Sequence, residues 1–237
     1  MNPFDMTPGS QFEAVPIGTV DRVSAFLRRV YGWMFAGLAL TGVIAVGMAQ
    51  DPSLVIGFAR NPVLFFGLMI GELGLVVYLS ARALKMSPAA ATASFLVYAA
   101  LNGVLFSTIF LAYTASSIAT TFLVTAGMFG SLAIWGTVTK RNLAGLGSFV
   151  SMGLIGLLLA MLVGFFVHSS ALQFAISVVG VIVFTGLAAW DAQKMKKLAL
   201  STPEGQAGNL AIVGALSLYL DFINLFLFLL RFLGRRD

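Results

Sequence analysis

Cysteine is absent from this 237-residue chain, and histidine occurs once, at His168. The first absence excludes disulfide scaffolds, thiolate metal sites, iron–sulfur clusters and cysteine nucleophiles. The second excludes any multi-histidine metal centre. Charge is scarce too: 10% of the residues are charged and 59% hydrophobic, against about a quarter charged in soluble domains. Such a balance belongs to a polytopic membrane protein. The formal net charge of +5 is not a nucleic-acid footprint, because the basic residues collect at the ends of apolar runs. There they act as topology signals facing an anionic leaflet.

Residues 1–29 are polar, with Pro3, Pro8, Gly9 and Pro16, and read as a mobile cytoplasmic tail ahead of a single domain over 30–237. The first apolar run follows Arg28-Arg29 and is too long for a signal-peptide core, so it reads as a retained anchor helix. A hydrocarbon core about 30 Å thick needs roughly 20 apolar residues of helix. Seven stretches qualify: Val30–Ala49, Pro62–Ala81, Ala89–Leu111, Ile118–Val138, Phe149–Val167, Ala171–Trp190 and Leu210–Leu230. They are continuously apolar rather than alternating, which predicts helices and not barrel strands. The expectation is an all-α integral membrane protein, a seven-helix bundle. Its longest connection, Asp191 to Asn209 with Pro203, Glu204 and Gly205, reads as a solvated loop.

Lysine and arginine set the orientation. Arg22, Arg28 and Arg29 precede the first run; Arg82 and Lys85, Lys140 and Arg141, and Lys194, Lys196 and Lys197 follow the second, fourth and sixth. The alternate loops hold only Arg60 and His168, so the N-terminus is placed in the cytoplasm. Arg231, Arg235 and Arg236 conflict with this rule if the last run crosses fully; the alternative is a re-entrant last segment. Small residues, Gly67 with Gly71 and Gly153 with Gly156, suggest close helix contacts of the ordinary kind.

Charges inside the apolar runs are the functional suspects, since an intramembrane carboxylate costs roughly 2.5–3.5 kcal/mol even on lenient insertion scales. Asp221 lies within the last run, and Ser217, Asp221 and Asn224, spaced i, i+4, i+7, share one helix face. Asp191 ends the sixth run, and Glu72 lies deep in the second, ten residues before Arg82. Two carboxylates within a few ångströms titrate as a coupled pair. Oxygen-only ligands suit a hard cation such as calcium, for which Asp191 and Asp221 are the candidate ligands. A nearby arginine would compete with that cation, so protonation, arginine pairing and metal binding become alternatives. A last helix beginning at Leu210 would put Asp221 about 16 Å deep, out of reach of a surface Asp191. A start near Ala215 is therefore expected.

The strings Phe184-Thr185-Gly186-Leu187-Ala188-Ala189-Trp190-Asp191-Ala192-Gln193 and Ala215-Leu216-Ser217-Leu218-Tyr219-Leu220-Asp221-Phe222-Ile223-Asn224-Leu225-Phe226 closely resemble the Bax inhibitor-1 family. The resemblance covers nearly the whole chain. It implies a bacterial inner-membrane member with a central last helix wrapped by two layers of three, and a pH-sensitive calcium leak in which Asp191 and Asp221 form the sensor. It further implies that Arg82 pairs with Asp191 as a latch and that Glu72 lines the ion path, to which Ser217 and Asn224 are added by their position. Some bacterial members are linked to a membrane-embedded ATP-dependent protease, which makes a regulatory protein contacting such a complex through its tail the alternative.

The expected function is thus a passive, pH-gated calcium leak channel or transporter, with calcium or protons and the bilayer as partners and no cofactor or nucleic acid. The chain is not expected to be an enzyme. A serine–histidine dyad would need its histidine on a facing helix, whereas His168 sits at a loop edge. A retinal Schiff base would need a lysine within an apolar run, and none has one.

Overall fold

The computed structural model describes residues 17–167, 169–201 and 207–235. Expectations about the remainder of the tail, His168 and the Pro203-Glu204-Gly205 turn lie outside these residues. The helices, in chain order, are α1 (Ile17–Ala49), α2 (Pro52–Arg60), α3 (Pro62–Arg82), α4 (Pro88–Ser107), α5 (Ala115–Val138), α6 (Ala144–Phe166), α7 (Ser170–Ser201) and α8 (Ala207–Leu233). Seven of them, all but the short α2, are long and apolar enough to cross a membrane.

Several helix starts follow from local chemistry. Asp51-Pro52, Asn61-Pro62 and Ser87-Pro88 each join a capping side chain to a proline whose missing N–H costs nothing in a first turn. The Asp51 carboxylate accepts from the Ser53 amide at 3.0 Å, Asn61 Oδ1 from Leu64 N at 3.2 Å, and Ser87 Oγ from Ala90 N at 3.2 Å. Asp51 also accepts from the Ser53 hydroxyl, and these bonds hold its carboxyl below the usual carboxylate range.

Around α8 the other helices form two groups of three. In one, α1 and α3 both lean on α4; in the other, α5 and α6 both lean on α7. The last helix lies between the groups and touches α1, α4, α5 and α7. In its most apolar stretch 72% of residues are buried, against 11% for α3 and 17% for α6, so α8 is the core and α3 and α6 are the rind. Outward-facing apolar side chains such as Val63, Phe166 and Val138 are exposed as lipid contacts require.

Where helices come closest, glycine makes room. A Cβ at Gly136 of α5 would collide with the Ala189 carbonyl of α7, and one at Gly180 of α7 would lie 2.5 Å from the Phe228 ring of α8. These are not the glycines singled out by spacing. Gly67, Gly71 and Gly156 have open space where a side chain would stand; of that set only Gly153 meets a neighbour, Val183 at 3.1 Å.

Three boundaries differ most from the sequence expectation. Residues 17–29 are helical, because Phe26 and Val30, with Val23 and Leu27 beside them, make an apolar stripe at helical spacing that packs on the core. Beyond Trp190, α7 continues to Ser201, so residues 192–201 are helix and not loop. Polar bonds to the turn between α5 and α6 hold this extension. Gln193 Oε1 accepts from Leu143 N at 2.9 Å, Gln193 Nε2 donates to Arg141 O at 2.8 Å, and Lys196 Nζ donates to Thr137 O at 2.8 Å. Thirdly, α8 begins at Ala207 rather than Ala215. Asn209 Nδ2 donates to Ala83 O at 3.0 Å and Met86 O at 2.7 Å, tying that start to the turn after α3.

The last helix crosses the whole bundle and is not re-entrant. Its start lies with the basic turns, whereas Arg235 lies at the other end, donating its amide to Ser117 Oγ at 2.8 Å and accepting from Thr114 N at 3.2 Å. Arg231 and Arg235 therefore lie at the opposite end of the bundle from the basic turns.

Candidate functional site

With both helices longer than expected, the aspartates meet for a different reason. Asp191 lies ten residues before the end of α7 and Ser217 ten after the start of α8, each about 15 Å in from its helix end. The antiparallel helices bring them level, and the Ser217 hydroxyl donates to Asp191 Oδ2. Asp221 stands one turn further along the same face of α8, close enough that Asp191 and Lys194 both act on it electrostatically. Both aspartates are nearly sealed from the surroundings, at 5% and 6% exposure. Asp191 Oδ1 and Asp221 Oδ2 are buried with no hydrogen-bond donor beside them.

The face continues outward at the same spacing through Asn224, Phe228 and Arg231. Asn224 does not join the carboxylates: its amide donates to Leu220 O of its own helix at 2.8 Å. Phe228 comes next. Its ring stacks on Phe184 of α7, centroids 5.7 Å apart and planes 25° apart, and fills the space that Gly180 leaves. Beyond this aromatic block lies a polar vestibule of about 520 Å³ bordered by Gln173, Ser177 and Arg231, at the end of the bundle away from the basic turns.

Arg82 is not part of the pair. It is exposed at the end of α3 and, among the described residues, bonds to neither aspartate. α3 packs on α4 and has no comparable contact with α7, so it cannot deliver a side chain there in this conformation. The basic residue nearest in sequence to the pair is Lys194, one turn beyond Asp191 on α7, exposed and with its ammonium 5.2 Å above the Trp190 ring.

Glu72 is buried, at 8% exposure, but belongs to a second polar cluster on the opposite side of α8. Tyr219, two residues before Asp221, points about 200° away from it around the helix. The Tyr219 hydroxyl and Thr41 Oγ1 of α1 lie 2.7 Å apart, and Thr41 Oγ1 donates to Ala99 O of α4 at 2.8 Å. The Tyr219 ring sits edge-on to Tyr98 and Phe95, centroids 5.8 Å away in each case. Asn102 Nδ2 donates to Tyr98 O at 3.3 Å, and Glu72 lies within electrostatic reach of the Tyr98 and Tyr219 hydroxyls. Sequence reasoning did not single out Thr41, Tyr98 or Tyr219. The available signal was Tyr219 itself, a polar-tipped ring inside the most buried helix.

Calcium takes six to eight oxygen ligands in a stable site. The aspartate pair with Ser217 offers fewer, and no group of three or more acids or histidines is found among the described residues. The arrangement suits transient passage or proton exchange better than storage of a metal.

The family described as inhibitor of apoptosis-promoting Bax1 matches residues 23–237. An inner membrane protein of Escherichia coli K12, YbhL, is 46% identical over 217 residues, covering 90% of this chain and 93% of its own. A protein of Deinococcus radiodurans is 46% identical over 220 residues, 92% of this chain and 94% of its own, and one of Borreliella burgdorferi is 42% identical over 213. With seven membrane-crossing helices and both quoted strings on α7 and α8, this chain is an integral membrane protein of the Bax inhibitor-1 family.

Proposed function

We propose that the protein is a passive, pH-sensitive cation leak of the bacterial inner membrane, with Asp191 and Asp221 as its gate and calcium as the cation carried. The observation behind this reading is the pair itself: two buried carboxylates on facing helices, each with an oxygen no protein group satisfies. Carboxylates so placed exchange a proton, a cation and a basic side chain as alternative partners. Lys194 takes the competing role that the resemblance implied for Arg82. Conduction further requires the Phe184–Phe228 stack to part, since an apolar constriction excludes water and ions alike. Glu72 contributes to the path only if that path passes on both sides of α8. The function is not enzymatic in this reading.

The N-terminal end, where the basic turns gather, faces the cytoplasm. Asp191 and Ser217 lie nearer that end than the vestibule, so cytoplasmic pH sets the gate. The test is calcium entry into liposomes holding the purified chain in one orientation, with pH varied separately on each side. Flux that follows pH on the tail side supports the reading. Flux no greater than through empty liposomes at every pH overturns it.

A further inference from the structure

One pair of neighbouring helices around α8 is left unpacked. α1 and α5 scarcely touch, although both lie against α7 and α8. A cleft runs between them. Toward the vestibule end it is a groove of about 560 Å³ floored by Phe222 and Phe226 of α8. Toward the basic end it is a groove of about 370 Å³ bordered by Tyr31, Met34 and Phe35 of α1 and by Phe129, Gly130 and Thr137 of α5. Its sides are apolar and it opens at membrane depth, where hydrocarbon chains are the surrounding medium.

Its mouth is basic. Tyr31 and Thr137 approach each other where the inner groove ends. Arg28 lies one heptad before Phe35, which puts it on the same stripe of α1 beneath the groove. Lys140 and Arg141 follow the last turn of α5 across the cleft, and Lys196 donates to the Thr137 carbonyl between them. Arg28, Lys140 and Arg141 are exposed. The one acid in α1, Asp21, lies two turns further from the groove than Arg28. Basic pockets between membrane helices are a recognised seat for anionic headgroups.

We propose that the α1–α5 cleft binds one anionic phospholipid of the leaflet at the basic end, its acyl chain in the groove and its phosphate held by Arg28, Lys140 and Arg141. The lipid completes the wall of the bundle where no helix does. This site is separate from the aspartate pair and does not depend on the leak reading.

Delipidated full-length protein in neutral detergent, titrated with phosphatidylglycerol or with phosphatidylcholine of the same chains and read by native mass spectrometry, tests it. Wild type should retain phosphatidylglycerol preferentially. The triple variant Arg28→Gln, Lys140→Gln, Arg141→Gln should lose that preference, at roughly fivefold per charge and on the order of a hundredfold in all. Gly130 borders the groove and has no atom within 4 Å of where a side chain would begin, so Gly130→Phe places a ring in the groove from a position with room for its first atom. It keeps every charge and should lose both lipids. Equal binding of the two lipids by wild type would overturn the proposal, as would wild-type retention by Gly130→Phe, which would place the lipid elsewhere. A wild-type dimer that Gly130→Phe dissolves would also overturn it, by making a second copy the occupant.

Discussion

The two faces of α8 carry polar groups at nearly the same depth and treat them in opposite ways. On the side of α1 and α4, the Tyr219 hydroxyl is joined to Thr41 and through it to the Ala99 carbonyl, while aromatic rings pack edge to face around it. Glu72, at the edge of that cluster, likewise has a buried oxygen without a partner. On the side of α7, the one serine donor bonds Asp191, and each carboxylate keeps an oxygen without a partner. A saturated network of neutral groups holds helices together at small gain per bond. Unsaturated carboxylates do the reverse: they cost free energy in the folded state, and they respond to protons and cations. In the proposed leak the first face is adhesive and the second responsive.

Asp221→Asn and Asp191→Asn put the largest strain on this contrast. Each should flatten the pH dependence of calcium flux while the protein folds at least as stably, because an amide is cheaper to bury than a carboxylate. A wild-type pH profile in both variants would remove the pair from the gate, and loss of folded protein would move it to the adhesive class. Tyr219→Ala should do the opposite, destabilising by about 3–5 kcal/mol, as loss of a large buried ring does, in unfolding assays in detergent. Whatever protein remains folded should keep its pH profile. Phe228→Leu should raise leak several-fold at the pH where wild type is closed, by loosening the stack on Phe184. Unchanged leak would mean that ions do not pass along this face. Thr41→Val is the gentlest probe: it removes two bonds, to the Ala99 carbonyl and the Tyr219 hydroxyl, and at about 0.6 kcal/mol each should cost about 1.2 kcal/mol, with no effect on flux.

Hydropathy made the seven crossings legible, because each is a long run with almost no charge. The helix ends were not, since polar residues there read as loop. Arg28 and Lys194 sit on the outer side of turns whose inner side, Phe26 and Val30 or Met195 and Ala199, is buried. Stripes shorter than two turns are easily lost among charges. Asp191 and Asp221 were legible as the costliest residues in the chain, and their meeting was expected from a late start of α8. It arises instead from two long helices whose ends are tied by Gln193 and Asn209, side chains that carry no charge to attract notice. The expectation for Arg82 rested on resemblance alone, and the peripheral place of α3 leaves that residue exposed. Thr41, Tyr98 and Tyr219 were missed because neutral hydroxyls inside an apolar run look like ordinary membrane-helix residues.

The helix at the centre of the bundle is made after the six that surround it. Until α8 leaves the exit tunnel, six helices stand in the membrane around a space with no occupant. Asp191 has no Ser217 to bond, Thr41 has no tyrosine, and Gly180 faces no ring. Assembly therefore cannot proceed outward from a finished core, and the two groups of three must stay loosely associated and admit the final helix between them. A chain ending before Ala207 would keep all its peripheral helices yet expose its costliest polar residues to lipid. Membrane quality control would meet an incomplete product marked by the very groups that the complete one hides.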